Sequence, residues 1–461
     1  MSDKPHCPSV VQQLAEWIND FAPRPMAEAT AERARAILLD SLACALYAGD
    51  DKTAQTAIRT VRRLGGSGDC AVIGTDMRTT LPLAAFTNGI LIRTLDFNDS
   101  YAGPKQIGHP SDNLGATLAA AEIADRSGRE FVQAMRLGYE VYGRILDLTE
   151  PDTAWDHVTA SGVTVAAMTG WLLRLSVEQL AHAMALAATH SATLGEVRVG
   201  HVSAAKSTAN AMVVQTATLA TLLAAEGMTG PGRALEGERG FAKLVLDGAN
   251  FSDFFAEDRP DRLLSVGLKP YPCFALGQGP ISAALELRKR IPIETVERID
   301  IAIADTGPAR LRLRDASGKT PAGREAADHS IYFLVAIALL DGHVGLNQFN
   351  AGRWRDADVL NLMSRIDAHI DPDLRPPKAL PCRLEAVVSG ERIVVERAAS
   401  PGNPALPLTW EGVQCKFHLC AAHVLDDDMQ RRVIELVEGI EELPSIRTLL
   451  GCLLPRAPLS P

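Results

Sequence analysis

Apolar residues recur at helical spacing over most of the first 265 positions of the chain. Near the start, Val11, Leu14 and Ile18 lie on one face of a predicted helix. Several later stretches are apolar on more than one face, which is typical of helices inside a helical core or at a subunit interface. We therefore expect residues 1–266 to form the N-terminal part of a large all-helical domain. The later helices are predicted over residues 81–94, 110–127, 129–149, 154–173, 177–193 and 201–227.

The pattern changes after residue 266, where polar and apolar residues begin to alternate. Residues 297–304 alternate in this way and predict a strand. Residues 384–388 and 392–395 lie on either side of a Ser-Gly pair and predict two strands joined by a turn. Between these strands, residues 330–340 are almost continuously apolar and predict a buried helix. A small α+β domain is therefore expected over residues 267–405.

A segment rich in proline and glycine, residues 400–407, follows the predicted hairpin. The helical pattern returns over residues 409–453, so we expect residues 406–461 to rejoin the large helical domain. The composition agrees, because 47% of the 461 residues are hydrophobic but only 5% are aromatic, and Ala and Leu dominate. The predicted fold class is mainly α, with a large all-helical domain and an inserted smaller α+β domain.

The charge of the chain limits its partners. A formal net charge of −10 argues against nucleic acid, because proteins that bind nucleic acid usually carry a basic face. If the substrate is an anion, the positive charge that attracts it must be local to the pocket. We therefore expect a small-molecule ligand and no nucleic-acid partner.

Cysteine spacing and apolar runs exclude other classes of protein. The eight cysteines contain no CxxC pair and do not cluster with histidines at metal-ligand spacing, so no zinc or iron–sulfur site is expected. The first residues lack the apolar core of a signal peptide, and no run of about 18 apolar residues lacks charge. We expect a cytoplasmic protein with reduced thiols and no membrane segment. P-loop, GxSxG and HExxH motifs are absent, and the glycines of residues 227–232 do not follow a predicted strand.

The most polar part of the chain is the loop Leu95–Ala116, which lies between two predicted helices. Asp96, Asp99 and His109 offer two carboxylates and an imidazole, which are the groups that general acid–base catalysis uses. The alternative is a solvated surface loop in which Asp99 forms a turn and Asp112 starts the next helix. The residues alone leave both interpretations open.

Two predicted helices carry single polar residues with candidate roles. Asp156 and His157 stand at a helix start, where the helix dipole disfavours the imidazolium and suits an imidazole that accepts a proton. The alternative is a capping Asp156 beside an ordinary histidine. Lys206 stands among alanines in an apolar helix, where its ammonium would either hold a carboxylate or extend to solvent.

The segment Ser265–Pro280 falls where the two predicted domains meet, a favoured place for a pocket. Lys269, Tyr271 and Gln278 are polar residues in a loop that three prolines stiffen. Cys273 is a candidate thiol, but its apolar neighbours favour the un-ionised form, so we expect a structural cysteine.

Taken together, these segments resemble the MmgE/PrpD family, whose members include 2-methylcitrate dehydratase, cis-aconitate decarboxylase and iminodisuccinate epimerase. The matching segments follow the family's order and cover most of the chain, and LDFND followed by HPSDN is the most specific match. The segments are LLDSLACAL (38–46), AAFTNGI and LDFNDSY (84–101), GHPSDNLGA (108–116), GYEVYGR (138–144), WDHV (155–158), the Lys206 helix, EGMTGP (226–231), KPYPC (269–273) and DHSIYFLVAIALLDG (328–342).

The resemblance implies a homodimer with a large helical domain, a smaller α+β lid and no metal or organic cofactor. It also implies a pocket that binds a polycarboxylate substrate. Asp99 of the polar loop and Tyr271 of the Ser265–Pro280 segment are added to the expected substrate-binding residues. The pocket positions that the motifs imply are Asp96, Ser100, His109, His157, Lys206, Lys269, Gln278 and Tyr332.

Three positions separate the branches of this family. The decarboxylase branch usually has Thr at the position of Ser100 and His at the position of Gln278, whereas the dehydratase branch has Gln at the latter. The dehydratase branch also has a His two residues before that Gln, where this chain has Leu276. The FND and HPSDN motifs favour the dehydratase branch.

The sequence-based hypothesis is the dehydration of a hydroxy-polycarboxylate such as 2-methylcitrate. In it, Lys206 and Lys269 hold substrate carboxylates, and His157 or Asp96 takes the proton. His109 then protonates the departing hydroxyl. The alternatives are a cis-aconitate-type decarboxylase, an epimerase of an imino or amino diacid, and a helical scaffold without enzyme activity.

Overall fold

The structure is a computed structural model that describes residues 8–104, 106–150, 153–256, 260–314 and 316–454. Most of these residues lie in helices, so the predicted mainly α class is confirmed. In chain order the α-helices are α1 (Val10–Phe21), α2 (Glu28–Tyr47), α3 (Lys52–Leu64), α4 (Leu81–Arg93), α5 (Leu114–Ile123), α6 (Gly128–Leu148), α7 (Ser161–Leu172), α8 (Val177–His190), α9 (Ala205–Ala225), α10 (Phe241–Leu244), α11 (Gln278–Arg288), α12 (Gly307–Arg312), α13 (Arg324–Ala327), α14 (Ile331–Asp341), α15 (Leu346–Ala351), α16 (Ala357–Met363), α17 (Trp410–Ala421), α18 (Asp427–Glu438) and α19 (Arg447–Gly451).

The strands form one four-stranded sheet and two small ones. In the larger sheet the order is β7-β6-β8-β9, with β6 parallel to β7 and antiparallel to β8. The β8–β9 hairpin and β6 occupy the positions that alternation predicts, whereas β7 was not predicted. The strands are β1 (Cys70–Ala71), β2 (Arg78–Thr79), β3 (Ser100–Ala102), β4 (Ile107–Gly108), β5 (Val266–Gly267), β6 (Val296–Ala304), β7 (Ile366–Asp371), β8 (Cys382–Val388) and β9 (Glu391–Arg397).

The helical prediction fails between α9 and residue 265. Only α10 is α-helical in the described part of that stretch, and the remainder is short 3₁₀ turns and loop. Gly227 has a φ of 93°, in the left-handed region that glycine favours, and it ends the helical path directly after α9. Further glycines follow at 230, 232, 237 and 240, so the helical periodicity of the apolar residues cannot be sustained.

Two large apolar clusters and a small one around Val158 form the interior of the part of the chain that the structure describes. The first joins α1, α2 and α4–α9 with α17 and α18, so the last helices pack on the first ones. The second joins α11, α14 and α16 with the four-stranded sheet, where alternate residues of β8 are buried. The boundaries of the predicted domains and the role of residues 267–405 as a lid stay predictions. Those domains also include residues 1–7 and 455–461, which lie outside the described residues.

Helix α9 is long and apolar enough to cross a membrane by length and composition, the one helix in the described ranges to pass that test. More than half of its apolar window, 56%, is buried inside the protein, where it packs against α4, α7 and α8. A buried core helix has the same composition as a membrane span. This packing is consistent with a soluble protein, and the predicted compartment stays a prediction.

Candidate active site

The polar loop after α4 turns inward at Asp96. This residue has a φ of 50°, in the left-handed region that few residues other than glycine adopt, and its backbone N–H donates to the Arg93 carbonyl at 3.0 Å. The side chain is fully buried. Left-handed backbone at a non-glycine residue is held in place by its surroundings and is often found at functional sites.

Three cations surround the Asp96 carboxylate. Lys206 Nζ lies 2.9 Å from Oδ2, Arg93 Nη1 lies 3.0 Å from Oδ1, and Lys269 Nζ contacts Oδ1 and donates to the Asp96 carbonyl at 3.0 Å. Burial opposes ionisation of this carboxyl group, but the positive charges of Arg93 and the two lysines outweigh it. They hold the pKa of Asp96 well below its ordinary value. Asp96 is therefore a stable anion and a weak base.

Asp328 and His329, just before α14, complete this group. Lys206 Nζ lies 3.3 Å from Asp328 Oδ1, and His329 Nδ1 contacts the same oxygen. His329 Nε2 lies 3.4 Å from Asp96 Oδ2. Burial raises the pKa of Asp328 to about 6 even though Lys206 opposes the shift. We call the following buried residues the charge cluster: Arg93, Asp96, Lys206, Lys269, Asp328 and His329.

Next to the charge cluster is a cavity of about 860 Å³. His329 belongs to both, because it contacts Asp328 and also lines the cavity. Two of the predicted catalytic residues, His109 and His157, line the same cavity. The structure therefore brings the predicted histidines together and adds a third imidazole.

His109 is held in one tautomer by the loop that carries it. Its Nδ1 lies 2.6 Å from the carbonyl oxygen of Asp99. Because a carbonyl oxygen only accepts, Nδ1 carries the hydrogen and Nε2 is left as the acceptor. Burial, with Arg93 and Lys269 nearby, holds the pKa of His109 well below its ordinary value, so the ring is neutral at pH 7.

His157 packs edge-on against His109, with ring centroids 5.4 Å apart. Its Nδ1 lies 2.8 Å from the Tyr142 hydroxyl. Burial lowers the pKa of His157 to about 3, although nearby Asp156 opposes the shift. Asp156 accepts a hydrogen bond from the Val158 N–H, so the predicted capping role of Asp156 is confirmed beside an imidazole in the cavity.

Asp99 is not one of the residues that line the cavity. Its Oδ1 accepts from the Ser111 hydroxyl at 2.6 Å, and its Oδ2 accepts from the Tyr139 hydroxyl at 2.8 Å. Burial raises its pKa to about 6. The side chain braces the loop that holds His109. The loop is buried at Asp96, Asp99 and Asp112, so the alternative of a solvated surface loop is wrong.

The two predicted lysines do not line the cavity. Both are almost fully buried and both bind Asp96. The alternative in which Lys206 extends to solvent is wrong, because its exposed fraction is 1%. A buried ammonium needs a carboxylate partner, and Asp96 is that partner for Lys206 and for Lys269.

The loop between Lys269 and α11 is braced by Gln278. Its amide accepts from the Tyr271 N–H at 3.2 Å and donates to the Tyr271 carbonyl at 3.0 Å and the Cys273 carbonyl at 3.2 Å. Phe274 and Leu276 of this loop line the cavity instead. Cys273 is buried and its pKa is raised well above the ordinary value by desolvation, which fits the expected structural cysteine.

The remaining predicted ligands also lie outside the cavity lining. Ser100 is in β3, paired with Gly267 of β5. Tyr332 is buried at the start of α14, with Lys319 Nζ 5.2 Å from its ring centroid. Substrate contacts for Asp99, Ser100, Tyr271, Gln278 and Tyr332 stay predictions.

Donor atoms of Asp96, Asp328 and His329 lie within 4.8 Å of one another, as in a small metal site. Lysine ammonium groups already occupy these carboxylates, since Lys206 binds both of them and Lys269 binds Asp96. A divalent cation placed there would face two or more positive charges at contact distance. The donor set therefore suits ion pairing better than metal binding, and the predicted absence of a cofactor stays a prediction.

Four arginines line the cavity, and sequence analysis missed them. Arg198 binds Asp156 through Nε at 2.5 Å and Nη2 at 3.2 Å, and Arg312 donates to the Arg198 carbonyl at 3.1 Å. Arg310, Arg312 and Arg314 belong to one short segment, RLRLR (310–314). The alternation of arginine with leucine there is the sequence signal that could have identified them. The acidic residues that line the cavity with them are Asp156 and Glu196. The lining is thus locally positive in a chain of net charge −10.

Two family models match this chain. The MmgE/PrpD N-terminal domain matches residues 12–253, and the MmgE/PrpD C-terminal domain matches residues 271–442. The chain belongs to the MmgE/PrpD family. The resemblance carried by the LDFND and HPSDN motifs is confirmed, and in this MmgE/PrpD protein those motifs hold Asp96 of the charge cluster and His109 of the cavity lining.

Its curated relatives in the MmgE/PrpD family carry two kinds of name. A cis-aconitate decarboxylase from Mus musculus is 24% identical, over 96% of this chain and 92% of its own length. A 2-methylcitrate dehydratase from Cupriavidus necator is 28% identical, over 74% of each chain. A probable 2-methylcitrate dehydratase from Saccharomyces cerevisiae is 27% identical, over 81% of this chain and 78% of its own. Both names describe lyases.

Proposed function

We propose that this protein is a cofactor-independent lyase that dehydrates a hydroxy-polycarboxylate such as 2-methylcitrate. The observation that carries the proposal is the contact between two neutral imidazoles, His109 and His157, in a cavity whose lining is rich in arginine. Loss of water from such a substrate needs a base near a carbon next to a carboxylate, a proton donor for the hydroxyl, and positive charge for the carboxylates.

His109 is the proposed base. The Asp99 carbonyl fixes the hydrogen on Nδ1, so the lone pair of Nε2 is available to take a proton. Asp96 is a poor candidate because its cationic neighbours hold its pKa well below the ordinary value. His109 as base reverses the role that the sequence-based hypothesis gives it. His157 packs edge-on against the imidazole of His109, with the ring centroids 5.4 Å apart.

The arginines of the cavity are the proposed ligands of the substrate carboxylates. A guanidinium binds a carboxylate through two parallel hydrogen bonds, which fixes orientation as well as charge. Lys206 and Lys269 would act from the charge cluster, by fixing the position of Asp96 and by adding positive potential next to the cavity. In this proposal the lysines support binding without touching the substrate.

A cis-aconitate decarboxylase is the second candidate. The relatives that align over 96% of this chain are named for that reaction, although the dehydratases share slightly more identity over shorter alignments. Decarboxylation would use the same arginines to hold carboxylates and a cavity imidazole to protonate the carbanion. An epimerase of an imino diacid and a non-enzymatic scaffold have less support. The homodimer, the polycarboxylate ligand and the lid remain proposals that rest on the family.

Product analysis by NMR tests the proposal. The purified protein is incubated separately with 2-methylcitrate, cis-aconitate and iminodisuccinate. We expect 2-methylcitrate to yield the corresponding unsaturated tricarboxylate. Release of CO₂ from cis-aconitate alone would select the second candidate, and inversion of iminodisuccinate alone would select an epimerase. If no substrate reacts and none raises the melting temperature at saturating concentration, both lyase assignments are wrong.

A further inference from the structure

His329 reaches the cavity from a different part of the chain than the other two imidazoles. His109 and His157 lie before residue 160 and touch each other, whereas His329 stands just before α14. It lines the same cavity and stacks on Phe274, with ring centroids 5.3 Å apart. The cavity thus offers one pair of imidazoles and one separate imidazole.

Both ring nitrogens of His329 face carboxylates. Nδ1 contacts Asp328 Oδ1, and Nε2 lies 3.4 Å from Asp96 Oδ2. An imidazole offers a hydrogen at both nitrogens only when it is protonated, so the two carboxylates favour the cation, whereas burial and Lys206 oppose it. His157 has one carboxylate nearby, Asp156, with its Oδ1 3.8 Å from Nε2. Among the cavity imidazoles, His329 is therefore the better placed proton carrier.

We propose that His329 is the proton donor to the leaving hydroxyl, and that Asp328 is its positioning residue. The proposal rests on the proposed dehydration. His109 Nε2 takes the proton, and the electron pair of the C–H bond forms the C=C bond as the C–O bond breaks. The hydroxyl takes a proton from His329 Nε2 and leaves as water. His329 is then neutral with Nδ1–H on Asp328. After release of the product, His109 gives its proton to solvent, and His329 takes a proton from solvent when the next substrate binds.

Substrate binding would load His329 with its proton. In the empty cavity, burial and then Lys206 hold the pKa of His329 well below its ordinary value. A bound polycarboxylate adds negative charge beside the ring and raises the pKa. The charged groups that face His329 from the packed segments are Arg93 of α4, Asp96 of the polar loop, Lys206 of α9, Arg312 of α12 and the adjacent Asp328.

Steady-state kinetics of four variants test this role. We expect His329→Asn to lower kcat by about 10²–10⁴-fold, the contribution of a general acid, with KM changed less than threefold. Asp328→Asn should lower kcat by at least about tenfold and shift the acidic limb of the kcat–pH profile, and Asp328→Glu should restore part of the loss. The matched control is His369→Asn, because His369 pairs with Asp300 at 2.8 Å outside the cavity and is 52% exposed. If His329→Asn, folded by circular dichroism, keeps more than a third of wild-type kcat, His329 is not the donor.

A second measurement separates this inference from the proposed reaction. Wild-type protein with ¹⁵N-labelled histidine is titrated by NMR with and without tricarballylate, an unreactive tricarboxylate, and the His329 signals are assigned by their loss in His329→Asn. We expect tricarballylate to raise the pKa of His329, and to raise it less in Asp328→Asn. An unchanged His329 titration in the presence of bound tricarballylate would refute the donor role even if the enzyme dehydrates its substrate. Failure of every substrate to react, with the His329 shift present, would refute the dehydration alone.

Discussion

Lys416 of α17 binds Asp40 of α2, with Nζ 2.6 Å from Oδ1, and both side chains are buried. The same ammonium donates to the Phe97 carbonyl at 2.5 Å and to the Lys269 carbonyl at 3.2 Å. It therefore holds the backbone directly after Asp96 and the backbone of the lysine that binds Asp96. Helix α17 thus fixes the two backbone segments that carry Asp96 and Lys269.

Loss of the Lys416 ammonium should destabilise the fold and the site together. Lys416→Met leaves Asp40 as a buried carboxylate without its partner, which costs about 3–5 kcal/mol of unfolding free energy. The double variant with Asp40→Asn should recover part of that loss, because it removes the unpaired charge. Urea denaturation measures both. As a control, Lys289→Met removes an exposed ion pair with Glu286 and should change stability by less than about 1 kcal/mol.

Removal of either imidazole of the touching pair should slow turnover. His109→Ala and His157→Ala should each lower kcat by about 10²–10⁴-fold, the usual contribution of an acid–base group. Stopped assays with NMR detection of product give kcat for each variant. Should both variants stay within threefold of the wild type, neither histidine takes part in the chemistry.

The buried neutral state of His157 should make the protein sensitive to acid. Burial lowers the folded-state pKa to about 3, below the ordinary value of 6.5, so between these values the unfolded chain binds the proton and the folded one does not. Stability from this group is present above pH 6.5 and is lost as the pH falls. Between pH 7 and pH 5 the loss is about 2 kcal/mol.

Urea denaturation of His157→Gln at pH 7 and pH 5 measures this contribution. The variant should lose less stability than the wild type over the same interval, by about 2 kcal/mol. His369→Gln changes an exposed imidazole and should lose as much as the wild type. Equal losses in His157→Gln and wild type would show that His157 is protonated alike in both states.

The arginine-lined part of the cavity should govern affinity more than rate. We expect Arg314→Gln to raise KM for the polycarboxylate by about tenfold, because one charge-assisted hydrogen bond to a substrate carboxylate is lost. The kcat should stay within about twofold of the wild-type value. The effect should shrink at high salt, because solvent-exposed charge is screened. Arg392→Gln on β9, where the arginine pairs with Glu385 away from the cavity, is the control. A fall in kcat at unchanged KM would exclude a simple binding role.

Local periodicity was enough to predict most helices, the β8–β9 hairpin and the strand β6. The strand β7 was missed even though its sequence, IDAHID, alternates apolar and polar residues, so the local signal for this strand was present. Local periodicity also missed the sheet β4-β3-β5, whose strands have two or three residues each and are defined by pairing across the chain. Long-range pairing leaves little trace in a local pattern.

The site was predicted in part for the same reason. His109 and His157 line one cavity, as the family motifs implied, and their catalytic roles stay predictions. Lys206 and Lys269 were expected to face the substrate, but each binds Asp96, a partner more than one hundred residues away in the chain. Asp328 and His329 were overlooked within a matched motif, since nothing local shows that they meet Lys206 and Asp96.

The place of Lys416 in the sequence has a consequence for biosynthesis. Lys416 binds the Phe97 carbonyl, but more than three hundred residues must be added to the nascent chain after Asp96 before Lys416 is made. At about 5–20 residues per second this takes tens of seconds. Until then the nascent chain lacks the contacts that hold the Phe97 and Lys269 carbonyls next to the charge cluster. The backbone support of the charge cluster is therefore completed late in the synthesis of each molecule.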